Sequence, residues 1–281
     1  MCLFNSEVWN GISDNDLNDL SVIDHKILRV ITGAHSKVPI EMLYIETSQL
    51  PISHVISVRR IIYWHTLIRR EKEELTSQVY NAMKDNPLKG DWIFSLQEDL
   101  KKIDLSLQDE LHISKLSKHT FKKTVKEKIR ELSLTELELV KSTHEKVKFI
   151  VHSNIEKPQE YLTSGIFSNA QKSILFNLRS RCESNFKDNF HKMYTDFTCE
   201  LFHLDVDSQE HALLCPVIIQ KLNQQEKDIL KTVLYDDIFG TLNSQLVITR
   251  LFQTIIKVKK QCLTPVDSSA AYPGNSTGPH G

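Results

Sequence analysis

The chain contains few of the residues that interrupt regular structure and few of those that build extracellular frameworks. Among 281 residues there are only 8 glycines and 8 prolines, and 40% are hydrophobic, so a globular chain of one or two domains is expected. The 5 cysteines are odd in number and too sparse for a disulfide framework. We therefore expect an intracellular protein, nuclear or cytoplasmic, whose cysteines serve thiol or metal chemistry.

Long apolar runs and net charge are also lacking. No run reaches the roughly 18 residues that a bilayer span requires, and the opening MCLFNSEVWNG lacks the features of a signal peptide, so no membrane partner is expected. Lysine and arginine total 35 against 36 acidic residues, which gives no overall attraction to nucleic acid. Binding to a polyanion must therefore depend on a local patch of charge.

Motifs of common catalytic sites are absent as well. The sequence has no glycine-rich phosphate loop, no nucleophile elbow and no His-Glu-x-x-His helix. In VLYDDIFG, Tyr235 directly precedes Asp236, which is one residue too close for the Tyr-x-Asp-Asp motif of polymerases, and the surrounding pattern is helical. We expect a solvated helical turn there and no enzyme activity in this chain.

Apolar residues recur at helical intervals along most of the chain. In DLNDLSVIDHKILRVITG they are spaced by three and four residues, and Gly33 follows as a stop signal. Pro39 and Pro51 each precede a further apolar segment, as prolines in the first turn of a helix do. A long charged segment follows Ser117, which is a good N-cap residue. The pattern predicts a mainly α fold, with strand favoured only at MCLF and around a cysteine cluster.

Two arginine pairs flank aromatic residues in VRRIIYWHTLIRR. Arg59 and Arg60 precede Arg69 and Arg70 by ten residues, about three helical turns, so both pairs are expected near one helix face. Arginines in this setting bind phosphates while aromatic rings stack on bases. The alternative is that the intervening residues are core and the arginines pair with the glutamates of segment 71–74.

The densest basic patch lies between residues 115 and 130, where Glu127 is the one acidic residue. The candidate phosphate-binding residues in this patch are Lys115, Lys118, Lys122, Lys123 and Lys126. All of them except Lys123 recur at three or four positions, which gives one helical stripe able to follow a phosphate backbone. A solvated helix face is the alternative. Further along, Arg179 and Arg181 extend positive charge towards the cysteine cluster.

That cluster is CELFHLDVDSQEHALLC, which has the order and compactness of a small zinc module. Its candidate ligands are Cys199, His203, His211 and Cys215. Phe202 stands where a Cys-x2-Cys pair would need its second sulfur. Three interpretations remain open: a working site completed by His203, a weak three-ligand zinc site, and a metal-free cluster whose cysteines are small buried residues.

Several phrases occur in a recognisable order: SEVW, ILRVITGAHSKVPIEMLYIETSQLPI, RRIIYWHTLIRR, KGDW, HISKLSKHTFKKTVKEKI, LFNLRSR, SQEH and YDDIF. In this order they resemble the C-terminal part of the endonuclease/reverse transcriptase polyproteins of non-LTR retrotransposons, from Ser6 to about Cys262. That family places an endonuclease and a polymerase palm before a helical thumb and a Cys/Cys/His/Cys zinc knuckle. The resemblance implies that both catalytic domains lie outside this chain, and that Phe202 replaces a knuckle cysteine.

The resemblance also implies an organisation and a function. We expect a thumb-like helical region over 1–112, a basic helical region over 113–192, a knuckle-like segment with C-terminal helices over 193–262, and a disordered tail over 263–281. The expected function is non-catalytic binding of RNA or an RNA/DNA hybrid through phosphate contacts, with the rest of a reverse transcriptase as a further partner. The alternative is an inert or scaffolding helical relic of a retroelement.

Overall fold

The fold is mainly α, as the sequence predicts. The computed structural model describes residues 3, 5–9, 12–144, 147–150, 154–190 and 192–263. In these residues 67% of the structure is helical, and an isolated antiparallel bridge between Thr198 and Val206 stands in place of a strand near the cysteine cluster. None of the helices in this part of the chain has the length and apolar character needed to cross a bilayer. Most of MCLF, and the predicted tail beyond Leu263, lie outside the described residues.

Thirteen α-helices and five short 3-10 helices follow one another along the described chain. The α-helices are α1 (Asp14–Thr32), α2 (Ile40–Thr47), α3 (Ile52–Leu67), α4 (Leu75–Asp85), α5 (Trp92–Lys101), α6 (Glu110–Ile113), α7 (Lys118–Thr143), α8 (Glu160–Thr163), α9 (Asn169–Arg179), α10 (Gln209–Leu214), α11 (Pro216–Lys221), α12 (Gln224–Leu230) and α13 (Leu242–Leu263). The 3-10 helices are Ser6–Val8, Leu107–Asp109, Val147–Ile150, Lys187–Phe190 and Tyr235–Phe239.

Local chemistry sets the ends of helices α1 and α7. Helix α1 begins at a capping box, in which Ser13 accepts from the Asp16 amide, and it ends at Gly33, whose φ of 65° is left-handed. Helix α7 begins after Ser117, whose hydroxyl accepts from the Thr120 amide at 3.1 Å. The end of α1 at Gly33 and the cap of α7 at Ser117 agree with the sequence-based prediction, because each depends on residues within one turn.

The hydrophobic core consists of two clusters joined by α7. One cluster packs α3, α4 and α5 around Trp64, whose indole nitrogen donates to the Tyr80 hydroxyl at 2.9 Å. The other packs α1, α2, α9 and α13 around Phe176 and Phe252. Helix α7 contributes Phe121, Val125 and Ile129 to the first cluster and Leu137 to the second. Because one face of α7 is committed to the core, most of its charged residues lie on the outer face, and Lys141 is a buried exception.

Candidate nucleic-acid interface and metal-binding cluster

An open groove of about 890 Å³ lies between α3 and α7. Five cationic side chains line it, namely Arg59, Lys118, Lys122, Lys126 and Arg130. Two carboxylates, of Glu7 and Glu127, also reach it. Helix α3 supplies an apolar floor that includes Val58, Ile62 and the ring of Tyr63. We call this feature the α3–α7 groove.

The lysines reach the groove because of the period of α7. Lys118, Lys122 and Lys126 are four residues apart, so they project from one face at intervals of about 6 Å along the helix. Arg130 continues the same series by one more step. It was not among the residues predicted to bind phosphate, although its spacing from Lys126 already placed it in the series.

The cations of the α3–α7 groove keep their charge free for a ligand. Arg59 donates to the Ser6 hydroxyl at 3.3 Å and to the Leu3 carbonyl, and Arg130 donates to the Ser48 hydroxyl at 2.7 Å. These acceptors are neutral, so they orient the guanidinium groups without cancelling their charge. No ion pair is found for the three groove lysines within the described residues.

Two of the predicted lysines lie outside the groove. Lys115 precedes the cap of α7, so it does not continue the helical stripe, and it is not among the residues that line the groove. Lys123 projects from another face of α7 and lies 3.8 Å from Glu127 in an exposed ion pair. Because this pair partly neutralises the Glu127 carboxylate, Glu127 repels an anion in the groove less strongly.

The arginines at the end of α3 do not share a face with Arg59. Helix α3 ends at Leu67, so Arg69 and Arg70 lie in the following turn rather than three turns along one helix. Arg70 forms an exposed ion pair with Glu74, which is the pairing that the alternative interpretation of this segment predicts. Both residues are exposed at a site separate from the groove lining.

Arg60 and Arg179 are interior residues, which corrects their prediction as surface phosphate ligands. Arg60 is buried and pairs with the carboxylate of Asp99. Arg179 is buried against Glu46, with a closest nitrogen-to-oxygen distance of 2.9 Å, and its guanidinium also lies over the ring of Phe239. Burial lowers the pKa of Arg179, but the Glu46 carboxylate and the nearby Tyr161 together raise it overall. Neither charge is available to a phosphate.

Arg181 is also engaged by a carboxylate. Its guanidinium donates to Glu210 at 2.9 Å and lies 4.9 Å from the centre of the Tyr235 ring. Burial lowers the pKa of Arg181, but the hydrogen bond that Arg181 donates to Glu210, together with the nearby Tyr235, raises this pKa overall. These contacts tie the end of α9 to α10, so the structure assigns Arg181 a packing role rather than a free positive surface.

A tight hairpin brings Cys199 towards α10 and α11. The Cys199 amide donates to the Asp205 carbonyl at 2.7 Å, and the Asp207 amide donates to the Phe197 carbonyl at 2.6 Å. Ser208 then caps α10 by accepting from the His211 amide at 3.0 Å. Because the cap fixes the start of α10, His211 faces back towards the hairpin. We call residues 197–215 the Cys/His hairpin.

Ligand atoms of Cys199, His211 and Cys215 lie within 4.8 Å of one another. His211 Nδ1 lies 3.5 Å from a carboxylate oxygen of Asp205, while the buried Nε2 has no hydrogen-bond partner. A metal-bound histidine has this arrangement, with one nitrogen oriented by a carboxylate and the other on the ion. The orphaned Nε2 and two buried sulfurs therefore fit a zinc ion.

A tetrahedral zinc site needs a fourth ligand, and none of the predicted ligand residues supplies it. The ring of Phe202 stacks on His211 with centroids 6.1 Å apart, so an apolar group occupies the neighbourhood where a second sulfur was expected. His203 is exposed, has a left-handed φ of 60°, and does not join the three ligand atoms. The structure therefore does not support His203 as the completing ligand. Burial raises the pKa of the Cys215 thiol, and the nearby Cys199 adds to this shift.

Comparison with known proteins adds no assignment to these two sites. No protein family, curated protein or solved structure matches the chain at a significant level.

Proposed function

We propose that the α3–α7 groove binds the phosphate backbone of RNA or of an RNA/DNA hybrid. In this proposal the chain is the non-catalytic C-terminal region of a retroelement reverse transcriptase, with a thumb-like helical part, and it works beside the remainder of that enzyme. The observation that carries the proposal is that five cationic side chains line one groove, against only two carboxylates. These cations come from two helices that are far apart in sequence.

The chemistry of the α3–α7 groove suits a polyanion rather than a single anion. Lysines at intervals of about 6 Å form a row, so each is able to approach a different phosphate of one strand. Opposite the row, the apolar floor and Tyr63 offer contacts to sugars and bases that require no particular sequence. Such binding releases counterions, so its affinity falls steeply as salt concentration rises.

We further propose that the Cys/His hairpin holds zinc weakly. Cys199, Cys215 and His211 supply three donors, and water takes the fourth position because Phe202 offers no ligand atom. A structural zinc ion normally has four protein ligands, so three give a weaker and more exposed site. The ion would clamp residues 197–207 to α10 and α11, which stabilises this segment without contributing catalysis.

The experiment that tests the groove compares two triple variants of the full chain. Lys118→Gln, Lys122→Gln and Lys126→Gln together remove the lysine row, while Lys89→Gln, Lys101→Gln and Lys221→Gln remove three exposed lysines elsewhere. Both variants lose the same net charge, so a general electrostatic effect weakens them equally. We expect fluorescence anisotropy with a labelled single-stranded RNA to show weaker binding for the groove variant only.

The alternative function is an inert or scaffolding helical relic. It is favoured because carboxylates already engage five of the predicted phosphate ligands, namely Arg60, Arg70, Lys123, Arg179 and Arg181. Under this alternative, wild type and both triple variants bind RNA equally weakly. Equal loss of binding in the two variants would also contradict a groove-specific function.

A further inference from the structure

The α3–α7 groove presents two different chemistries to a ligand. Helix α7 contributes the lysine row, whereas α3 contributes the apolar floor together with Arg59. A phosphate gains nothing from contact with the floor, because an apolar surface supplies no hydrogen-bond donor to replace water. A ligand that fills the groove must therefore carry phosphates along one edge and flat apolar surface along the other.

Tyr63 is the aromatic residue of the apolar floor, and its ring is held in place by packing. The rings of Tyr63 and Trp92 meet edge to face, with centroids 6.0 Å apart and an angle of 87° between their planes. Trp92 is buried, and its indole nitrogen donates to the Glu7 carbonyl at 2.7 Å. Tyr63 itself is only partly buried and lines the groove. Because the ring is oriented before a ligand arrives, stacking a base on it costs less entropy.

A double helix is too wide to reach this floor. Helices α3 and α7 pack directly against each other, and the axes of packed helices lie about 8–10 Å apart. The major groove of a duplex alone is about 12 Å wide, so a whole duplex lies over the α3–α7 groove and contacts only its rim. An unpaired strand is narrower, and its bases are free to stack on an aromatic side chain.

The carboxylate of Glu7 fits the same kind of ligand. Glu7 lines the groove from the 3-10 helix Ser6–Val8, which packs on α3. A carboxylate repels phosphate, but it accepts hydrogen bonds from the amino groups of bases. Base pairing occupies these amino groups in a duplex, whereas an unpaired strand presents them to a protein.

We propose that the α3–α7 groove takes a single-stranded stretch of RNA in preference to a duplex, with phosphates on the lysine row and a base stacked on Tyr63. This inference rests on the proposed function and adds which form of the nucleic acid is bound. Electrostatics alone predicts the opposite preference, because each phosphate contact contributes roughly 0.9 to the salt dependence on double-stranded DNA and roughly 0.7 on a single strand. A preference for the single strand therefore requires contacts to bases.

Fluorescence anisotropy with the full chain measures this preference. A labelled RNA of about 12 nucleotides, without self-complementarity, is compared with the same strand annealed to complementary RNA or to complementary DNA at one salt concentration. We expect the wild type to bind the single strand at least about tenfold more tightly than either duplex, which lies within the range of one stacked base. Equal or tighter binding of a duplex overturns this inference. The proposed function then still stands if the triple lysine variant weakens binding, and it fails if the wild type binds no RNA.

Tyr63→Leu tests the stacking contact. Leucine keeps an apolar side chain beside Trp92 but has no aromatic face, so binding of the single strand should weaken at least about fivefold while duplex binding stays unchanged. The matched control is Tyr194→Leu, which makes the same change at a tyrosine that is 39% exposed and does not line the groove. Circular dichroism and thermal denaturation establish that both variants fold. Equal effects of the two variants, or a folded Tyr63→Leu protein that keeps the full preference, overturn the inference. If Tyr63→Leu does not fold, the comparison of single strand and duplex on the wild type decides alone.

Discussion

The α3–α7 groove and the region at the end of α9 use their polar residues in opposite ways. In the groove, cations line an open surface and their contacts are to neutral acceptors. At the end of α9, Arg179 and Arg181 are each engaged by a carboxylate, and the Cys/His hairpin beside them encloses its ligand atoms. The contrast supports the proposal that charge serves recognition in the first region, whereas in the second region charge holds the structure together.

Replacing a buried cation should have the largest effect on folding. Arg179→Ala leaves the Glu46 carboxylate buried without its partner, so we expect a loss of about 3–5 kcal/mol in the free energy of unfolding. Lys122→Ala in the α3–α7 groove should change it by less than about 0.5 kcal/mol, as surface substitutions usually do. Urea denaturation measures both. Equal effects at the two positions would remove the distinction between the regions.

Restoring a sulfur to the Cys/His hairpin should have the next largest effect. Phe202→Cys should tighten zinc binding by more than the roughly 100-fold that changes in outer-shell partners cause, because it adds a direct ligand. Zinc titration and thermal denaturation with and without a chelator measure this gain. Phe202→Ser is the matched control, since it removes the ring but adds no thiolate. Stoichiometric zinc that the wild type retains through dialysis would show that the present site is already complete.

Neighbouring lysines on α7 should differ in their contribution to RNA binding. Lys122 lines the α3–α7 groove, whereas Lys123 faces away from it and pairs with Glu127. We expect Lys122→Gln to weaken RNA binding by about two- to fivefold, the range of one exposed charge interaction, and Lys123→Gln to leave it unchanged. Fluorescence anisotropy resolves this difference. A stronger effect at Lys123 would place the binding surface on another face of α7.

Lowering the pH should produce the smallest change in stability, and it should act through two buried histidines of α3, His54 and His65. Burial lowers the pKa of His54, with Glu136 opposing it, and burial also lowers the pKa of His65. The unfolded chain therefore binds more protons below about pH 6.5, so stability present at neutral pH is lost as pH falls through that value. Urea denaturation at pH 7.5 and 5.5 checks the direction. The shift should shrink in the variant His54→Gln, and a stability that rises in acid would contradict the assignment.

Local patterns in the sequence predicted the helices and the basic stripe, but partners distant in sequence could not be predicted. The caps of α1 and α7 depend on neighbouring residues, and the period of α7 places Lys118, Lys122 and Lys126 on one face. In contrast, Arg179 pairs with Glu46, which lies 133 residues away in the sequence. No local pattern distinguishes such an arginine from one that is exposed, because its environment depends on how the helices pack.

In the Cys/His hairpin, too, the sequence pattern predicted only part of the structure, although the residues involved are close together in the sequence. The spacing of Cys199, His211 and Cys215 was enough to predict that they meet. Whether His203 joins them depends on the backbone of the turn, where its left-handed φ of 60° keeps its side chain exposed. The stacking of Phe202 on His211 likewise follows from the folded geometry. The spacing of cysteines and histidines in the sequence identifies a candidate metal site, but the conformation of the turn determines which of these residues contribute ligand atoms.

The salt dependence of RNA binding tests the central claim most directly. The logarithm of the association constant is measured against the logarithm of salt concentration for the wild type and for the variant that lacks Lys118, Lys122 and Lys126. If each lysine contacts a phosphate, the slope should flatten by about 2 to 3, because each contact contributes roughly 0.7 to 0.9. Identical slopes for the two proteins would show that the groove lysines do not contact phosphate, and would contradict the proposed function.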